Sequence, residues 1–265
     1  MNRKEIRVGG RPIYIEKFGS GTRTLICFNG YGRVASELKV LENSIGRNYS
    51  VIAVNHHMHD GSEWVINDDD VSGFCEQLIS ELGLANSKFD ILGYSIGARM
   101  AICLANEMKS AVDKVYLLAP EGLYSYPLFD FMNKTKLGQR LFRFLIKSPG
   151  IAFLGLKFTQ IIGVYSKATT QYYYNRFNTL EKRNRLKQVW RIMSKVTLDK
   201  STRDTLFSDE NIEWVIVLGE QDNVISSRKV KRNIAAMARK DVHELPVGHS
   251  LLFPKMNDHL GELFQ

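Results

Sequence analysis

Phe89-Asp90-Ile91-Leu92-Gly93-Tyr94-Ser95-Ile96-Gly97 is the stretch on which the reading of this chain turns. Residues 89–92 read as a short buried strand and residues 96–108 follow with helical spacing. Gly93-Tyr94-Ser95-Ile96-Gly97 is therefore G-x-S-x-G in a strand–turn–helix setting. Small residues two positions either side of the serine leave room for strand and helix to approach across a sharp turn. Ser95 Oγ would project from the end of the strand, with a helix N-terminus beneath it that favours developing negative charge. The pentapeptide alone occurs by chance; its setting makes it informative.

The flanking chain has a matching rhythm. Short runs at 6–8 and 13–15 flank Gly9-Gly10 as a hairpin. Residues 24–28, 49–54, 115–118, 214–218 and 242–245 read as strands, apolar without alternation as in sheets covered on both faces. Residues 34–46, 71–82 and 228–239 have helical spacing, the second of them behind Asp68-Asp69-Asp70, negative charge suited to a helix start. Strands alternating with helices predict an α/β fold, a mostly parallel central sheet of about eight strands flanked by helices. In such sheets chemistry collects at the carboxyl ends of the strands.

Composition narrows the field. With 265 residues, 44% hydrophobic and 24% charged, the chain is globular rather than disordered or fibrous. Cys27, Cys75 and Cys103 form neither a disulfide framework nor a Cys-x-x-Cys metal pair, and suit a reducing, cytoplasmic setting. No apolar run follows the charged first residues, so no secretory leader is expected. The best apolar stretch, 141–164, is interrupted by Arg143, Lys147, Pro149 and Lys157 and is not expected to span a bilayer.

The formal net charge of +8 is unevenly placed. Residues 121–205 hold 16 Lys+Arg against 5 Asp+Glu and 14 of the 28 aromatics, whereas the remainder holds 20 against 23. This segment, punctuated by Pro127, Pro149-Gly150 and Gly163, reads as an inserted helical module dividing a core of residues 1–120 and 206–265. Solvated lysines over an aromatic interior would give the same composition. Within it Leu141, Phe142, Phe144 and Leu145, flanked by Arg140, Arg143 and Lys147, fit a lipid interface or core packing equally well. Nothing beyond charge points to nucleic acid.

A serine hydroxyl needs a base to act as a nucleophile at neutral pH. Of the six histidines, His249 in Leu245-Pro246-Val247-Gly248-His249-Ser250 lies just past the last strand, and Asp222 follows the strand before it. An acid there would hold the imidazole's tautomer. Glu121, after Leu117-Leu118-Ala119-Pro120, is a rival acid. Asn55-His56-His57-Met58-His59-Asp60 invites a metal reading, but adjacent loop histidines rarely face one ion and no second ligand set accompanies them.

The order Ser95, Asp222, His249, the opening hairpin, the Gly219-Glu220-Gln221-Asp222 stretch and the position of the insertion resemble the α/β-hydrolase superfamily over nearly the whole chain. The resemblance implies Ser95 as nucleophile, His249 as general base and acid, and Asp222 as its carboxylate. It also implies an oxyanion hole from the backbone N–H groups of Ile96 and Tyr31, a lid at 121–205, and no cofactor or metal. Many relatives have histidine-glycine where this chain has Asn29-Gly30, and His59-Asp60-Gly61-Ser62 is similar to a loop in which relatives place glycine and histidine before a serine. Epoxide hydrolases and haloalkane dehalogenases of the superfamily carry aspartate at the elbow; a serine there implies an acyl-enzyme. Three activities stay open: a carboxylic ester hydrolase, a thioesterase or acyltransferase on a coenzyme A- or carrier-linked acyl group, and an inactive hydrolase-fold binding protein. C–C bond hydrolysis of a dienone-type substrate would need further residues that the sequence does not reveal. The implied partner is a small acyl substrate, anionic or carrier-linked if the basic module recognises it, with peripheral membrane contact through the lid as a further reading.

Overall fold

Arg11 follows Gly9-Gly10 directly, and the chain folds back there so that β1 (Arg3–Val8) pairs antiparallel with β2 (Arg11–Phe18). The computed structural model describes residues 3–124, 127–163, 166–252 and 261–264. Six more strands follow: β3 (Arg23–Phe28), β4 (Tyr49–Val54), β5 (Phe89–Tyr94), β6 (Val112–Leu118), β7 (Glu213–Gly219) and β8 (Lys240–Leu245). They build one eight-stranded sheet in the order β1-β2-β4-β3-β5-β6-β7-β8. β2 joins β4 antiparallel, and every pair from β4 to β8 is parallel, so the sheet is mixed only at its hairpin edge. All six residues of β5 are buried, and β3, β4, β6 and β7 each end in a run of buried residues. That is why these strands show no in/out alternation in sequence.

The helices of this layer are α1 (Glu42–Ile45), α2 (Val71–Leu82) and α3 (Gly97–Glu107). Asp70 caps α2, its Oδ1 accepting from the Gly73 N–H at 2.8 Å, and Gly83 ends it in the left-handed conformation. The helix expected over 34–46 is instead a 3-10 helix, Ala35–Leu41, running into the short α1. Its buried residues Ala35, Leu38 and Leu41 recur every third position, which suits three residues per turn.

By its contacts the chain divides into two compact units, Met1–Tyr124 with Lys195–Gln265, and Ser125–Ser194. The second is narrower than the 121–205 segment that charge picks out. The helix α9 (Lys200–Phe207) belongs to the first unit: Leu206 and Phe207 are fully buried, Phe207 packs edge-on against Trp214 at 5.1 Å, and Arg203 donates to the Leu123 carbonyl. Near the end of this unit, α10 (Ser227–Asn233) stops short of the 239 expected from its spacing. The Ala238 N–H donates to the Phe207 carbonyl and Trp214 to that of Arg239, so the chain leaves the helix to feed β8.

The second unit consists of α4 (Pro127–Lys134), α5 (Lys136–Lys147), α6 (Pro149–Ile161), α7 (Lys167–Phe177) and α8 (Leu180–Met193). Met132, Phe142, Ile146 and Phe177 form its buried cluster, with the Trp190 ring 5.2 Å from Phe129 and 5.3 Å from Phe142. The buried Arg183 donates Nε to the Ile146 carbonyl at 2.8 Å and Nη1 to the Phe177 carbonyl at 3.1 Å, satisfying oxygens at the ends of α5 and α7. Phe142 and Leu145 thus serve the interior, while their neighbours Leu141 and Phe144 are exposed. Among the described residues no helix is long and apolar enough to cross a membrane.

Candidate functional site

Ser95 stands between β5 and α3 with φ at +54°, the left-handed region that L side chains seldom occupy. The structure over-determines it: its N–H donates to the Leu118 carbonyl at 2.9 Å, and its own carbonyl accepts from Ala98 and Glu121 at 3.1 and 3.0 Å. A Cβ on Gly97 would lie 2.3 Å from the Phe28 carbonyl oxygen, so only glycine lets the helix start this close to the end of β3.

From this turn a continuous line of hydrogen bonds runs across the first unit. Ser95 Oγ is 2.9 Å from His249 Nε2, and His249 Nδ1 is 2.8 Å from Asp222 Oδ2. The Asp222 side chain is 1% exposed and that of His249 10%. The other carboxylate oxygen, Oδ1, accepts from the N–H groups of Val224 and Ile225 at 2.7 and 2.8 Å. A carboxylate only accepts, so the imidazole proton sits on Nδ1 and Nε2 is left to take the serine proton. Tyr94 holds the histidine from its other end: its hydroxyl donates to the His249 carbonyl at 2.9 Å and its ring stacks on the imidazole at 5.9 Å. Burial pushes the Tyr94 phenol upward, keeping it a donor.

Glu121, the rival acid, points elsewhere. Its carboxylate meets Arg99 Nε at 3.0 Å in a largely buried ion pair, while its N–H takes the Ser95 carbonyl. It braces the turn; the carboxylate on the imidazole is that of Asp222.

The loop after β3 passes against the same turn, since a Cβ at Gly30 would fall 3.2 Å from that of Ser95. Asn29 is fully buried and donates from Nδ2 to the Val34 carbonyl, which fastens the loop across its own base. The histidine cluster after β4 grips it from outside. His59 Nδ1 lies 2.8 Å from the His57 carbonyl and Nε2 accepts from the Gly32 N–H at 2.8 Å. A carbonyl cannot donate, so the proton is on Nδ1 and His59 is the neutral tautomer that can accept from Gly32. The Tyr31 ring meets that imidazole edge-on at 5.7 Å. Nearby, Asn55 Oδ1 accepts from the Ala35 N–H at 2.7 Å. Met58 and Asp60, either side of His59, have positive φ, a backbone region that L side chains seldom occupy. His57 Nδ1 accepts from the Trp64 N–H at 3.0 Å. Among the described residues no group of three His, Cys, Asp or Glu is arranged to hold a metal ion. The roles of His59 and Tyr94 are not read from the sequence; for His59 the similarity of its loop to that of relatives is the available signal.

His56 is fully buried and stacked on Trp64 at 4.7 Å, and among the described residues neither of its ring nitrogens has a hydrogen-bond partner. Burial pushes it well below the ordinary imidazole range and takes His57 down to about 4. Both are neutral in the folded protein near pH 7. As pH falls below about 6.5 the unfolded chain binds protons that these rings refuse, so stability is full above that value and declines toward pH 4. His56→Phe keeps the stack and removes two unpartnered buried nitrogens. It is expected to raise stability by about 1 kcal/mol near pH 7, and by more near pH 5. Urea midpoints at the two pH values check this; a midpoint that falls on substitution would mean the nitrogens are satisfied.

No protein-family model and no curated protein matches the sequence. Solved structures do. The chain is similar to a thermophilic esterase from Thermogutta terrifontis, with a TM-score of 0.68 at 13% identity over 99% of this chain and 96% of that one. An esterase from Exiguobacterium antarcticum gives 0.65 at 17% identity, covering 98% and 97%. A thioesterase domain from the curacin biosynthetic pathway gives 0.63 at 14% identity, covering 100% and 99%. Likeness over almost the full length of both partners, at so low an identity, is likeness of architecture. The chain has the α/β-hydrolase fold.

Proposed function

We propose that this protein is a serine hydrolase that cleaves a carboxylic ester through an acyl-enzyme. The observation that carries this reading is the line from Ser95 Oγ through the His249 imidazole to Asp222, at 2.9 and 2.8 Å. Ser95 Oγ attacks the carbonyl carbon as its proton passes to His249 Nε2. Asp222 stabilises the imidazolium, and the N–H groups of Ile96 and Tyr31 receive the oxyanion. The Ile96 N–H belongs to the set that a helix leaves without an internal acceptor. Collapse of the tetrahedral intermediate expels the alcohol, which takes the proton from His249. Water, deprotonated by the same nitrogen, then releases the acid and restores the serine. No cofactor or metal enters these steps. The inserted unit is read as the lid, and the three buried thiols suit a cytoplasmic setting. The esterases among the similar structures support the substrate class.

A second reading keeps the triad and changes the acyl donor to a coenzyme A or carrier thioester. The basic character of the insertion and the similar thioesterase domain favour it.

A fluorophosphonate probe is expected to label the wild-type chain at Ser95 and to leave Ser95→Ala unlabelled. Absence of labelling in the wild type would instead leave a hydrolase fold that only binds. Matched oxygen and thioester substrates then separate the two chemistries, with kcat/KM falling as salt rises if anion recognition by the basic insertion matters.

A further inference from the structure

We propose that the exposed stripes of α5 and α6 in the second unit dock on an anionic lipid bilayer surface. Ten large hydrophobic side chains are exposed among the described residues, and all of them fall between Leu137 and Leu180. On α5, Leu137, Leu141 and Phe144 recur at i, i+4 and i+7, on a different side of the helix from the buried Gly138, Phe142 and Ile146. On α6, Ile151, Leu154, Phe158 and Ile161 recur at i, i+3, i+7 and i+10, and that helix has no buried residue. Ser148 alone separates the two helices. Scattered exposed leucines need no explanation, but two periodic stripes on consecutive helices form a patch of the kind that marks an interaction surface.

Charge selects the partner. Arg140, Arg143 and Lys147 line the flank of the α5 stripe, and Lys157 the flank of that on α6. None of these four is in an ion pair among the described residues. From residue 131 to residue 180 the sequence contains no aspartate or glutamate. An apolar stripe bordered by cations, with no carboxylate on either helix, is the pattern of a helix lying at an anionic lipid interface, its apolar side among the acyl chains and its cations at the headgroups. A second copy of this chain would bring the same cations against themselves, which disfavours self-association through this face.

The inference does not depend on the chemistry at Ser95, so it is tested on the full-length Ser95→Ala chain. The chain is expected to float with phosphatidylglycerol–phosphatidylcholine vesicles at low salt, and about tenfold less with phosphatidylcholine alone. Leu154→Ser/Phe158→Ser should reduce binding to the mixed vesicles about tenfold. Arg140→Gln/Arg143→Gln should weaken it severalfold and flatten its salt dependence. These side chains are exposed, so the thermal transition should stay near that of the parent; if the serine variant fails to fold, the glutamine variant and the lipid preference decide. No binding to the mixed vesicles would overturn the proposal. So would binding indifferent to the apolar substitutions, which is charge attraction alone, or a concentration-dependent dimer that the same substitutions dissolve.

Discussion

Asp222→Asn is expected to lower kcat/KM on an activated ester by about 10⁴-fold, or ~5 kcal/mol of transition-state stabilisation, while leaving the fold intact. The two halves of the carboxylate explain why this small change is so damaging. Oδ1 already accepts from the Val224 and Ile225 N–H groups. In the variant those donors require the amide oxygen, which turns the NH₂ toward His249 Nδ1. A donor facing Nδ1 forces the imidazole proton onto Nε2, where it points at Ser95 Oγ and cannot accept. The asparagine therefore locks the wrong tautomer, and Asp222→Ala, which leaves the ring free to reorient, should be no worse in kcat. Fluorophosphonate labelling should slow in parallel with turnover. Because the oxygen keeps its two backbone bonds, the thermal transition should move by only a few degrees. An Asp222→Asn enzyme within tenfold of wild type would show that this carboxylate does not set the state of the base.

The parts of this molecule that were legible in sequence are those whose physics is local. The serine turn declares itself through Gly93 and Gly97, because a strand and a helix cannot meet there otherwise. Its partners were legible one step removed: a parallel sheet sends its loops to one edge, so a histidine and an aspartate just past the last two strands were expected near the serine. What was not legible depends on contacts between distant segments. His59 reads as one of three adjacent loop histidines, and only the folded chain shows its Nε2 on the Gly32 N–H. Glu121 has the same chemistry as Asp222 and also follows a strand; its ion pair with Arg99 is what separates them. The basic segment extends beyond the compact second unit because basic residues such as Arg203 also serve the first unit. Phe142 and Phe144 are two positions apart in one charged, aromatic run, yet one is buried and the other exposed.

His59→Phe is expected to lower kcat by about 10²-fold with KM little changed, although both ring nitrogens of the residue face backbone groups of the protein. Gly32 donates its N–H to the His59 ring nitrogen at 2.8 Å and is next in the chain to Tyr31, whose N–H is proposed to hold the oxyanion. Phenylalanine retains the ring and its edge contact with Tyr31 but removes that acceptor, leaving the N–H of the exposed Gly32 without its protein partner, a lost hydrogen bond of about 1 kcal/mol. The loop relieves this cost by turning the Gly32 N–H toward water, which swings the neighbouring Tyr31 N–H off the oxyanion. One misaimed donor costs about 10²–10³-fold in kcat, because its bond is made fully only in the transition state. His59→Gln places an amide oxygen close to where Nε2 lies, so it should recover most of the lost kcat. That rescue separates an acceptor role from packing, since glutamine fills the site less well than phenylalanine. If His59→Phe lowers the thermal transition but keeps kcat, or if glutamine is as poor as phenylalanine, then the histidine shapes the loop without aiming it, and the donor opposite Ile96 is held by the bonds of Asn29 and Asn55 instead.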